Sequence, residues 1–129
     1  MRRAHLWTGL VTVAVFLISG QMMRHHQPPL AAMSDGSRLV FRSRHIYILA
    51  SGLVNLMPGL YFERLKGRRG VVQAIGSGLL LLSTALLMLA FGTETARPFD
   101  PEMPWSHLGL YALFGGAMLH WAASVGRRR

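Results

Sequence analysis

The stretch VVQAIGSGLLLLSTALLMLAFG, residues 71–92, contains no Asp, Glu, Lys or Arg and runs almost unbroken through leucines. At 1.5 Å per residue a helix of this length covers the ~30 Å hydrocarbon layer of a bilayer. In lipid the backbone must satisfy its own hydrogen bonds, so a helix is the expected conformation. A transmembrane β-strand would alternate apolar and polar positions, and Leu79-Leu80-Leu81-Leu82 does not.

Outward from this run, 6–23, 45–62 and 105–126 are charge-free as well. Each reaches ~20 residues or falls short by one or two that an interfacial side chain supplies. The charged residues gather between these runs instead of being spread among apolar ones, as a soluble amphipathic surface requires. The expected fold is therefore all-α, an integral membrane four-helix bundle with antiparallel up-down topology. It fills 1–129 as a single transmembrane domain, with helices at about 5–23, 42–63, 71–92 and 105–126. Loops at 24–41 and 93–104 lie outside, and the loop at 64–70 lies inside.

Orientation follows from the basic residues. Arg2, Arg3, Arg64, Lys66, Arg68, Arg69 and the three arginines 127–129 fall at one set of helix ends, with the single acid Glu63. The other set carries Arg24, Arg38, Arg42, Arg44 and Arg97 against Asp35, Glu94, Asp100 and Glu102. The positive-inside rule makes the first set cytoplasmic, which puts both termini on that side of the cell (inner or plasma) membrane. The competing reading is a cleaved signal peptide, since Met1-Arg2-Arg3 precedes an apolar run. That run is long for such a segment, Ile18-Ser19-Gly20 is a poor cleavage site, and Leu30-Ala31-Ala32 lies too far on.

The net charge of +9 would suggest nucleic acid as a partner in a soluble protein. Here topology accounts for the charge, and no basic cluster is interleaved with aromatics, so no nucleic acid is expected. The absence of Cys excludes disulfides, thiolate metal sites, a Cys nucleophile and lipoprotein anchoring. No Walker loop, H-E-x-x-H or G-x-S-x-G is present, and no catalytic residue is assigned. No carboxylate falls within the four runs, which disfavours a proton-coupled antiporter built on a membrane-embedded Glu.

At 100° per residue each helix has a small, weakly polar face: His5, Thr8, Thr12 and Ser19; Arg44, Ser51, Gly52, Asn55 and Gly59; Gln73, Gly76, Ser77 and Thr84; Gly109, Gly116, Ala117, His120 and Ser124. Such faces pack against one another while leucine-rich faces turn to lipid. Asn55, near the midplane, is expected to hydrogen-bond a neighbouring helix, with a ligand contact as the alternative. Pro58-Gly59 beside it is expected to kink the helix.

The histidines raise two cofactor readings. His5 with His120, on the inner polar faces, is the better pair for bis-His ligation of a b-type haem, and His45, His25 and His26 form an outer set. His107 lies about 140° around from His120 by the 3.6-residue period and is worse placed. Met22, Met23, Met33 and Met103 with His25 and His26 would make a soft set for copper. No metal site is assigned from these.

Arg38, Arg42 and Arg44 occupy the side expected to be poor in basic residues, where pairing with Asp35, Glu94, Asp100 or Glu102 would fasten the outer loops. Bidentate capture of an anionic headgroup is the alternative for Arg42 and Arg44. The leading functional expectation is a non-enzymatic bundle embedded in the lipid bilayer, acting as a homo-oligomer or as a partner membrane subunit. The alternatives are a haem- or copper-binding redox membrane protein and an oligomeric channel or transporter.

Overall fold

The computed structural model describes residues 1–61, 63–97 and 102–125. Among them the chain is helical, with no strand: α1 (Arg2–Arg24), a 3-10 turn (Leu30–Ala32), α2 (Asp35–Tyr61), α3 (Gly67–Glu94) and α4 (Pro104–Ser124). Phe62, Pro98, Asp100, Pro101, Gly126 and the three arginines 127–129 lie outside the described residues.

The helices extend past the charge-free runs. α2 begins at Asp35, ahead of the span expected from 42. The sequence offers Ser34-Asp35 as a cap that would start a helix near Ser37, and Ser34 Oγ accepts the Ser37 N–H at 3.3 Å while Asp35 puts a negative charge in the first turn. Arg38 and Arg42 suit a helix but not hydrocarbon, so absence of charge marks where lipid could begin, not where the helix begins. α3 starts at Gly67, whose φ of 61° lies in the left-handed region that glycine adopts without a Cβ clash. α4 opens on Pro104, whose missing N–H would have no partner in a first turn. α2 continues through Pro58 and is described as far as Tyr61.

α1 packs on α2 and α3 on α4; α2 and α3 join the two pairs, while α1 with α3 and α2 with α4 touch lightly. Both pairs close through glycines. A Cβ on Gly9 would lie 3.0 Å from the Gly52 carbonyl oxygen, and one on Gly116 would lie 2.9 Å from that of Gly76.

Polarity is reversed relative to a water-soluble bundle. Leu80, Leu87 and Leu113 form a small apolar cluster. Around it His5, Thr12, Ser51, Asn55, Ser77, Ser83, Thr84 and Ser106 are also buried. Outward stand Trp7, Leu17, Ile18, Met57, Tyr111, Phe114 and Trp121, all exposed. By length and composition α1 and α3 are long and apolar enough to cross a membrane. In α2 and α4 the polar side chains Arg44, Ser51, Asn55 and Ser106 are buried.

Candidate functional site

The polar faces meet in two nodes, one toward each end of the bundle. Asn55, with no exposed surface, organises the node on the side of the termini. Its Oδ1 accepts from His5 Nδ1 at 2.7 Å, and since an amide oxygen can only accept, that imidazole carries its proton on Nδ1. The Asn55 amide NH2 donates to the Ser51 carbonyl at 3.0 Å, the Leu80 carbonyl at 3.2 Å and Thr84 Oγ1 at 2.9 Å. One side chain thereby ties α1, α2 and α3 together. Ser77 Oγ and His120 Nε2, 2.9 Å apart, add α4. Nearer the chain end, Arg2 Nε donates to the Gly59 carbonyl at 3.3 Å. Gln73 grips the α2–α3 connection, donating to the Glu63 carbonyl at 2.9 Å and accepting from the Leu65 N–H at 3.0 Å.

His5 and His120 do come together, with ring centroids 6.0 Å apart and planes at 82°. Each ring has one nitrogen engaged by a neighbouring side chain, His120 Nε2 by Ser77 and His5 Nδ1 by Asn55. A Cβ on Gly76 would approach His120 Cδ2 to 3.1 Å, so α3 packs closely against one side of that ring.

At the opposite end Arg44 and Glu94, both side chains under a tenth exposed, form an ion pair with Nε to Oε2 at 2.8 Å. Glu94 Oε1 accepts the Ser106 N–H at 3.0 Å and Oε2 accepts the Ser106 hydroxyl. Arg44 Nη1 donates to Ser43 Oγ at 2.9 Å, Nη2 lies against the Met103 sulfur, and the guanidinium carbon sits 5.6 Å from the Tyr47 ring centroid. α2, α3 and the first turn of α4 are thus clasped around one carboxylate. Glu94 lies past the apolar run that ends at Gly92. Burial, the largest influence on its carboxyl, disfavours the charge. The Ser106 hydroxyl and N–H together with the Arg44 guanidinium outweigh it and hold the carboxyl below its usual range.

The remaining candidates are dispersed. His45 stacks on Phe16, with centroids 4.1 Å apart, and its Nδ1 lies 3.1 Å from Ser19 Oγ. His26 donates from Nδ1 to the Pro28 carbonyl at 3.0 Å and meets the edge of Phe41, while His25 is exposed. His107 is exposed beside Tyr111. Arg38 pairs with Asp35 one helical turn away, and Arg42 points outward. Among the described residues no three His, Asp or Glu side chains gather as a metal-binding group. Compared with known proteins, the chain matches no family model, and no curated protein or solved structure is detectably similar to it.

The sequence marks Arg44 and offers Glu94 among several partners; Met103 is read from it only as a soft ligand, and Ser106 not at all. The signal for both is local: Pro104 at the first position of α4 sets the neighbouring residues at the open N–H end of that helix.

Proposed function

We propose that this chain is a multipass membrane protein of four spans, at about 5–23, 42–61, 71–92 and 105–124, with both termini cytoplasmic. It acts as a non-enzymatic helix-bundle component through contacts with other membrane helices, in a homo-oligomer or as a subunit beside a partner. The carrying observation is the reversed polarity: hydrogen-bonded Asn, Ser, Thr and His side chains inside, bulky apolar side chains outside. In water that exterior would be a large aggregation-prone surface; in lipid it is the favourable one. Asn55 and Ser106 spend their polarity on neighbouring helices, while Ser51 Oγ donates within α2 to the Ile48 carbonyl.

The exposed side chains Trp105, Leu108, Tyr111, Phe114, Met118 and Trp121 follow one another at steps of three and four along α4, a continuous stripe suited to another helix. Two measurements test the proposal. Alkaline carbonate washing should leave the chain in the membrane pellet, and reporters fused before Met1 or after Arg129 should respond as cytoplasmic. A chain released by the wash would overturn the membrane reading. Cysteine at Tyr111 or Phe114 should crosslink to a second copy or to a co-purifying subunit; a strictly single-chain species in native membranes would overturn the partner reading alone.

A further inference from the structure

α2 and α4 both pack on α3 but scarcely on each other, and toward the termini this leaves a cleft of about 470 Å³. α2 lines one wall with Val54, Met57 and Tyr61, and α4 lines the other with Ala117, His120 and Trp121. Val54, Met57 and Tyr61 follow at steps of three and four, and His120 and Trp121 lie three and four residues after Ala117, so each wall is one side of a helix. The floor is α3: Leu80 and Gln73 are 2% and 8% exposed, whereas Met57, Tyr61 and Trp121 at the mouth are 61%, 75% and 63% exposed. The cleft therefore opens sideways, through the surface assigned to lipid, and a ligand would enter from the bilayer.

The lining selects its chemistry. Among the described residues it contains no Lys or Arg and one acid, Glu63, so these walls offer a phosphate or carboxylate head no counter-charge for its lost hydration. The polar groups of the lining include the Tyr61 hydroxyl, the His120 imidazole, whose Nε2 lies 2.9 Å from Ser77 Oγ, and the Gln73 amide, whose Oε1 and one N–H hold the α2–α3 connection. The Tyr61 and Trp121 rings add flat faces for offset stacking. The volume lies within the ~300–1,000 Å³ typical of small-molecule sites. We infer that this cleft binds the head ring of a neutral, membrane-dissolved amphiphile of the quinone class. The ring carbonyls accept hydrogen bonds from the polar lining, and the tail leaves past Met57 and Trp121 into the acyl chains. The inference rests on the membrane reading only for the route of access.

The test uses the full chain in detergent micelles, with Trp7 and Trp105 replaced by Phe so that Trp121 reports. A 1,4-benzoquinone carrying one isoprenoid unit is titrated against its fluorescence. Parallel titrations use a short-chain phosphatidylglycerol and tetraphenylphosphonium. The expected result is saturable quenching by the quinone, with half-saturation at least tenfold higher in Ala117→Phe, which fills the cleft, and no saturation with the other two probes. Val54→Phe fills it from the α2 wall and serves if Ala117→Phe does not fold; helix content and melting temperature identify the folded variant. Linear quenching indifferent to both substitutions would overturn the inference. So would saturation by the phospholipid or the cation without the quinone. Because carbonate extraction reads membrane integration separately, an integral protein that does not saturate with quinone sinks the cleft reading and leaves the membrane reading intact.

Discussion

Replacing Asn55 by Leu removes the acceptor of His5 Nδ1–H and one donor each from Thr84 Oγ1 and the Leu80 carbonyl, which still accepts from Ser83 Oγ. Each buried group left without a partner costs about 1–3 kcal/mol, with membrane examples near the low end because the unfolded chain finds partners too. Asn55→Leu should therefore lower stability in detergent by about 1–3 kcal/mol. Combining it with His5→Phe should cost less than the sum of the two, which a double-mutant cycle in thermal unfolding will show. The Arg44–Glu94 pair should behave more sharply. Arg44→Met or Glu94→Gln alone leaves one buried partner unmatched and should cost about 3–5 kcal/mol, the double replacement less than their sum. Folding lowers the Glu94 carboxyl below its ordinary value, so the Glu94 contribution is complete above the unfolded carboxylate pKa of about 4.3 and is lost as pH falls through the lowered folded value. The melting-temperature gap between wild type and Glu94→Gln should be constant down to about pH 5 and shrink below about pH 4. Asn55 and Arg44 were legible in the sequence, because a lone amide or guanidinium on a small-residue face is costly wherever it goes. Their partners were not: His5 and Glu94 each lie 50 positions away, and helical phase alone cannot choose among several polar residues at similar depth.

For the helices as elements, the glycine contacts separate packing from composition. A Cβ on Gly76 meets the Gly116 carbonyl oxygen at 3.0 Å, and backbone cannot yield, so Gly76→Leu must push α3 and α4 apart. Overpacking of this kind costs about 1–3 kcal/mol, and here it also loosens the Ser77–His120 contact. Gly78, two positions on, has nothing within 4 Å of its would-be Cβ, so Gly78→Leu should leave the melting temperature nearly unchanged. Equal effects at the two positions would mean that helix propensity, not the α3–α4 contact, governs stability. Gly67→Ala forces a side chain into the left-handed region and should cost about 1 kcal/mol in the same assay. The number and order of helices could be read from the charge-free runs. The start of α2 at Asp35 could not be read that way, because its first turns tolerate charge and are set by the Ser34 cap.

At the scale of the whole molecule, polarity inside and apolarity outside turn a surface mutation into a diagnostic. Phe114 is 68% exposed, and in water Phe114→Asp would be nearly silent. In a bilayer a charge near the helix centre costs about 2.5–3.5 kcal/mol, so the substitution should reduce the carbonate-resistant fraction, whereas Phe114→Leu should not. Equal integration of both variants would remove the lipid-facing assignment of α4. By itself the sequence determined the helical class, the element order and the small polar face of each helix. Those properties follow from local composition and the 3.6-residue period, which need no knowledge of neighbours. Only the tertiary structure decided that His120 meets Ser77, that Arg44 and Ser106 close on Glu94, and that α2 and α4 stand apart over α3. Each of these depends on the relative rotation and depth of helices distant in sequence, which glycine contacts set to within fractions of an ångström and which no single helix encodes.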